Sequence, residues 1–213
     1  GVDIGDAGVM VTSIDGDISI TGVNTANNDG VYISSGGVIS STGTGPNAAN
    51  ITVHGTTTAA NHEGIDIDSA GTSVSSVDGD IQITGINLDT GDGIEMDSGS
   101  VVSSTGDGNV TFIGETAHPT DESLDIGNGA AGAQILSGTG DISITEGNPG
   151  GLGLFSYSTA MIASTGGGNI VLTMDDVALN GMVMSSGSMT IKPRTSATSI
   201  GLGGGAGTLN LND

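Results

Sequence analysis

One phrase returns seven times along the chain with its apolar positions in the same columns: Asp17-Ile-Ser-Ile-Thr, Asn50-Ile-Thr-Val-His, Asp80-Ile-Gln-Ile-Thr, Asn109-Val-Thr-Phe-Ile, Asp141-Ile-Ser-Ile-Thr, Asn169-Ile-Val-Leu-Thr and Ser188-Met-Thr-Ile-Lys. An apolar residue follows each polar opener and a second follows two places later, the period of a strand that buries one face. Units of about thirty residues are too short to enclose a core alone, so neighbours must stack and share one. The chain is therefore expected to form a solenoid, a rod and not a pocket.

Within the unit from Gly64 to Asp92, Gly-Ile-Asp-Ile-Asp supplies a first short strand, Thr72 to Val77 a second and Asp80 to Thr84 a third, with Gly, Ser and Asp at the corners. Side chains alternate across a strand, which sends Ile65 and Ile67 to one side and Asp66 and Asp68 to the other. Equivalent first strands begin at Gly1, Gly30, Gly93 and Ser123; Gly181-Met-Val-Met is expected to open the last, and Leu152 to Phe155 fits less cleanly. Three strands per turn describe an all-β chain, a parallel β-helix of about seven coils of roughly thirty residues. No segment carries the apolar stripe of an amphipathic helix, and the helical half and leucine signature of leucine-rich repeats are missing. Ile18, Ile20, Ile81, Ile83, Ile142 and Ile144 are expected to stack as buried ladders.

A longer period lies over the first. The third-strand openers alternate Asp17, Asn50, Asp80, Asn109, Asp141 and Asn169, and Ser13-Ile-Asp-Gly-Asp-Ile matches Ser76-Val-Asp-Gly-Asp-Ile, so the duplicated unit is a pair of coils. The second coil adds Pro46-Asn-Ala-Ala49 at a corner, where a solenoid tolerates insertion. The array is expected over 1–191, with 192–213 an irregular link leading into a further coil through Leu209 and Leu211.

The formal net charge is -22, with Lys192 and Arg194 the only lysine and arginine. Nothing here neutralises phosphates, so nucleic acid is not a natural partner. An anionic membrane surface would repel the chain, and no apolar run is long enough to insert. The absence of cysteine removes disulfides, thiol catalysis and cysteine-ligated zinc.

No catalytic, cofactor-binding or metal-ligating set stands out. The carboxylate pairs Asp15/Asp17, Asp66/Asp68 and Asp78/Asp80 recur with the coil, and no aromatic platform accompanies them in the sequence. His54 is expected at a strand end and His62 and His118 in corner loops, all in solvent. Gly166-Gly-Gly and Gly203-Gly-Gly read as corners, because no strand-to-helix unit follows either one. If the first strands stack in register, Asp66, Glu95 and Asp125 form an outward column, and neighbouring charges there repel by about 1 kcal/mol even in water. Solvent and monovalent salt, or calcium at the surface, would relieve it; no resident cofactor is expected. Ser19, Thr52, Gln82, Thr111, Ser143, Val171 and Thr190 face outward from the third strand, a hydroxyl-rich row that Gln82 and Val171 interrupt.

The phrase Ser-Thr-Gly-x-Gly-Asn/Asp-Ile-x-Ile-x-Gly, present with departures at 41–55, 104–114 and 164–173, resembles the repeat arrays of filamentous haemagglutinin-like exoproteins, large bacterial surface adhesins of the two-partner secretion type. The stretch from Ile191 to Asp213 looks like a segment that such proteins carry between arrays. The resemblance implies a right-handed β-helix, secreted to the bacterial cell surface, that acts without catalysis as part of an adhesive fibre and engages a host-cell, glycan or matrix receptor. A carbohydrate-active β-helix enzyme and an ice- or mineral-binding solenoid are the alternatives. Gly1-Val-Asp-Ile begins on a strand and Leu209-Asn-Leu-Asn-Asp stops in one, so the chain is expected to be a segment of something longer that associates end to end into a fibre.

Overall fold

The structure is a computed structural model that describes residues 1–148, 151–197, 199–202 and 209–211. Alternating apolar residues commit each short segment to a strand, and the corners pass the chain from one sheet to the next. Three parallel sheets result, each with seven strands. The first sheet stacks Val2–Ile4, Val31–Ile33, Ile65–Ile67, Ile94–Asp97, Glu122–Asn128, Leu152–Ser156 and Val177–Leu179. The second stacks Met10–Ser13, Val38–Ser41, Ser73–Ser76, Val101–Ser104, Gln134–Ser137, Met161–Ser164 and Met182–Ser185. The third stacks Ile18–Asn24, Ile51–Thr57, Ile81–Asn87, Val110–Thr116, Ile142–Glu146, Ile170–Thr173 and Met189–Lys192. At the ordinary strand spacing the stack is about 30 Å long. The described residues contain no helix, and hence none long and apolar enough to cross a membrane.

The parallel β-solenoid is thus the fold of this chain, and its core is a column of aliphatic ladders. Ile81, Ile83, Ile142 and Ile144 are buried as the repeat requires, with Ile18 at 7% exposure; Ile20 is only partly buried, because its strand is the edge of the third sheet. A second ladder was not read from the sequence. Ser13, Ser41, Ser76, Ser104, Ser137, Ser164 and Ser185 are Cα partners from coil to coil at the end of the second sheet. Several of their hydroxyls reach carbonyls: Ser137 donates to Gly140 at 2.6 Å and Ser185 to Gly168 at 3.0 Å, whereas those of Ser41 and Ser76 are buried without a partner.

Three segment assignments change. The third strands of the first four coils run seven residues, so His54 lies inside a strand and not at its end. The glycine in the middle of each is a strand residue that makes room. A Cβ on Gly55 would stand 2.0 Å from the Gly64 carbonyl oxygen, and one on Gly85 would stand 2.1 Å from that of Gly93. Gly181-Met-Val-Met leads into the second sheet, and the last coil's first strand is Val177–Leu179. Leu152–Ser156, expected to fit poorly, is a regular member of the first sheet. Beyond the array, Ile200–Leu202 and Leu209–Leu211 pair in parallel as a separate two-stranded sheet.

The Asp/Asn alternation of the third-strand openers now has a physical meaning. Each side-chain oxygen accepts the backbone N–H of the equivalent residue one coil on: Asn50 to Asp17 at 2.9 Å, Asp80 to Asn50 at 2.9 Å, Asn109 to Asp80 at 2.8 Å, Asp141 to Asn109 at 2.9 Å, and Asn169 to Asp141 at 2.7 Å. The Asn109 and Asn169 amides also donate back to Asp80 and Asp141, at 3.1 and 3.0 Å. Carboxylates never fall on adjacent rungs, and the amide between them supplies a donor.

Candidate functional site

The outer face of the first sheet is built differently. Reading up one column, Tyr32, Asp66, Glu95, Asp125 and Phe155 are successive Cα partners. Asp68 and Asp97 stand two residues further along the same face. Asp29, Glu63 and Asp92, just before their strands, and Glu122, the first residue of its strand, stack in another column, joined where Gly30, Gly64 and Gly93 donate to the carbonyls of Glu63, Asp92 and Glu122. No asparagine alternates with Asp66, Glu95 and Asp125 along their column. The two strong cations lie elsewhere: Lys192 ends the last strand of the third sheet, and Arg194 donates to the Gly147 carbonyl at 2.8 Å.

Crowding and burial act together on the acids. Burial, reinforced by the Glu95 charge, raises the Glu63 carboxyl to about 9 and the Asp66 carboxyl to about 8. Asp92 and Asp97 rise to about 8 and Asp125 to about 7, in each case first through burial and then through neighbouring carboxylates. Desolvation disfavours the charged form, and an adjacent like charge disfavours it further. Tyr157 is pushed up as well, by burial and then by the Asp125 charge.

Asp125 is the most enclosed member of the central column, at 7% exposure. Its Oδ1 has no hydrogen-bond partner, nor has the buried Oδ1 of Asp97. Both flank an irregularity, because the register slips between Met96 and Asp97 and sets Asp97 opposite Asn128. Gly127, at φ 92°, is the residue passed over; a β-carbon there would be strained and would meet the Ala160 methyl at 2.8 Å. Such bulges re-aim the side chains beside them. On the far side, Phe155 occupies the next rung above Asp125, and its ring meets that of Tyr157 edge-on with centroids 4.8 Å apart.

Aromatic residues therefore do accompany these carboxylates. Of the two phenylalanines and two tyrosines, Phe112 is fully buried in the core, while Tyr32, Phe155 and Tyr157 border the acidic face. Along the sequence no ring stands beside Asp66 and Asp68; across coils, Tyr32 is the neighbouring rung of Asp66. A cleft of about 330 Å³ at the lower end of the face is lined by Asp3, Asp6, Tyr32, Ser34 and Ser35 among others.

Two of the histidines, both partly exposed, face carboxylates. His62 Nδ1 lies 3.2 Å from Asp29 Oδ1, and His118 Nδ1 lies 3.1 Å from Asp121 Oδ2. Asp29, His62 and Glu63 bring potential ligand atoms within 4.8 Å of one another. Asp29 Oδ1, however, already accepts the Glu63 N–H at 3.0 Å as well as facing His62, which makes the trio a corner clasp. On the third sheet the outward row from Ser19 to Thr190 is in register as expected, and beside it runs a second row of Thr21, His54, Thr84, Ile113, Thr145, Thr173 and Lys192. His54, Ile113 and Lys192 break that second row, so the face is not a uniform double array of threonines.

Fold and face together define a three-sheet parallel β-solenoid with one aromatic-edged acidic side. Comparison with protein-family models, curated proteins and solved structures returned no match.

Proposed function

We propose that the chain is a non-catalytic structural and adhesive segment of a long fibre secreted to a bacterial surface, and that the acidic face of the first sheet is where it meets a glycan receptor. The observation that carries this reading is the concentration of Tyr32, Phe155 and Tyr157 beside the carboxylate columns of the first sheet. An aromatic ring offers a flat apolar platform, and carboxylates accept hydrogen bonds from sugar hydroxyls; the pairing suits a polyhydroxylated ligand. The cleft beside Tyr32 combines both with the hydroxyls of Ser34 and Ser35.

Fibre formation draws support from the ends of the stack. Met10, Ile14 and Val23 are exposed in the first coil, and Met182, Met184 and Met189 in the last. Exposed apolar side chains at these positions favour association with copies of this chain. The same acidic face sustains the alternative of a carbohydrate-active enzyme, since carboxyls held protonated near neutral pH are suited to acid catalysis.

The test is a panel of immobilised glycans probed with the purified chain. Retention that falls at least tenfold in Tyr32→Ala or Phe155→Ala, and is unchanged in Asp80→Asn, is the expected result. No retention on any glycan would overturn the adhesive role of this face, and release of reducing sugar would replace it with the enzyme.

A further inference from the structure

We propose that Asp29–Glu63 and Asp92–Glu122 are two proton-held clasps that tie neighbouring coils together beside the first sheet, and that losing the shared proton opens them, which makes this side of the rod a pH-sensitive seam. Both clasps follow one plan. The Glu63 N–H donates to Asp29 Oδ1 at 3.0 Å, and the Glu122 N–H donates to Asp92 Oδ1 at 2.8 Å. Each glutamate side chain then turns back to the carboxyl that its own backbone has bound: Glu63 shares a side-chain hydrogen bond with Asp29, and Glu122 shares one with Asp92. The clasp recurs after two coils, which is the period of the duplicated unit.

The third sheet contains the same arrangement with a different donor. Asp80 accepts the Asn109 N–H at 2.8 Å and the Asn109 side-chain amide at 3.1 Å; Asp141 accepts the Asn169 N–H at 2.7 Å and its amide at 3.0 Å. An amide donates at every pH. A carboxyl donates only while it is protonated, because the ionised form is an acceptor alone. Glutamate in place of asparagine therefore preserves the tie between coils and makes it conditional on a proton.

The surroundings set where that proton is lost. Glu63 faces Asp29, Asp66 and Glu95, and His62 beside it lies 3.2 Å from Asp29 Oδ1. Asp92 faces Glu122, Asp125 and Glu95, and Glu122 in turn faces Asp121 and Asp176. Burial first, and then these like charges, hold the proton on Glu63 to about pH 9 and on Asp92 to about pH 8. Above that range the proton passes to base in the solvent, and two carboxylates stand opposed where a hydrogen bond had joined them. The corners at 58–64 and 117–121, which lead from the third sheet into the first, then lose their ties to the coil below, while the aliphatic core is untouched.

The experiment is an NMR titration of the full chain, labelled with carbon-13 at its carboxyls, from pH 4 to pH 10. The Glu63 and Asp92 carboxyl carbons should titrate at least two pH units above the ordinary carboxylate value of about 4, and the Glu63 and Glu122 amide protons should shift in the same steps. Hydrogen-exchange protection of those two amides should fall at least tenfold between pH 6 and pH 9.5, with that of the Asn109 and Asn169 amides constant. Glu63→Gln supplies a donor that needs no proton, so it should abolish the alkaline step at amide 63 and leave the step at amide 122 in place. Carboxyl midpoints below pH 6 in the parent would overturn the proposal without recourse to any variant. Exchange protection at Glu63 and Glu122 that does not change with pH, or an alkaline step at amide 63 that survives in Glu63→Gln, would overturn it as well. None of these readouts depends on whether a glycan is retained.

Discussion

Two acidic ladders climb the same rod and follow opposite rules. On the third sheet, Asp17, Asp80 and Asp141 are separated by Asn50, Asn109 and Asn169, and each oxygen is bound to a backbone N–H of the next coil. On the first sheet, Asp66, Glu95 and Asp125 follow one another with no amide between them, and buried oxygens of Asp97 and Asp125 lack donors. One ladder is satisfied by its neighbours; the other crowds carboxyls whose protons burial and adjacent charge hold toward neutral pH. The contrast shows that repetition alone does not fix the chemistry of a solenoid face, because the same strand spacing serves either arrangement.

The largest effect should come from removing the scaffold that both ladders share. Ile83 is fully buried beneath the third-sheet ladder, and Ile83→Asp would place a charge among aliphatic rungs. A loss of more than about 4 kcal/mol is expected, read as a urea midpoint that collapses together with the strand signal in circular dichroism. Retention of parental stability would mean that the ladder column is not the core.

Acidity sharpens the comparison next. Glu63 and Asp92 have folded-state values of about 9 and 8, above their ordinary values near 4, so the folded chain holds protons that the unfolded chain releases. Their contribution to stability is fully present below the ordinary carboxylate range and is lost as pH rises through about 8 to 9. In chelator, the urea midpoint should therefore fall between pH 5 and pH 9. A midpoint independent of pH would show that the first-sheet acids are solvated and ionised throughout.

Exchanging the rules between the ladders should have smaller effects of opposite sign. Asn109→Asp creates three consecutive carboxylates and removes the amide donor to Asp80, at an expected cost of about 1–2 kcal/mol at low salt. Sodium chloride should recover part of it by screening. Glu95→Gln, which introduces the missing amide into the first sheet, should instead raise the melting temperature by a few degrees at pH 8. If both substitutions shifted stability in the same direction, the alternation would have no electrostatic role.

The smallest effect concerns the ends. End-to-end association through the exposed Met10 and Val23 at one end and Met182 and Met189 at the other should appear as a scattering mass that grows with concentration. Met182→Lys should reduce it without altering the melting temperature by more than a degree or two. A particle of constant mass at every concentration would count against stacking of copies.

Much of this molecule was legible from local chemistry. The alternation in Asp17-Ile-Ser-Ile-Thr and its copies determined the strands, the buried face and the stacking, because a strand's two-residue period and a unit too small for its own core leave a solenoid as the consistent outcome. The outward column of Asp66, Glu95 and Asp125 followed from the same alternation. Other features depended on which residues meet between coils. The Asp/Asn alternation was visible, yet its hydrogen bonds run from one coil to the next and required the register to be known. Strand length at Gly55 and Gly85 turned on the approach of a carbonyl from another segment, which no local signal contains. Tyr32, Phe155 and Tyr157 are distant from Asp66, Glu95 and Asp125 in the chain and adjacent to them on the face. Burial of the Asp125 oxygen likewise arises from a bulge and a ring on the next rung. Sequence determined the repeating strand and its inward and outward faces, since those depend on neighbours two residues away; tertiary structure decided which charges would be satisfied, since that depends on neighbours thirty residues away.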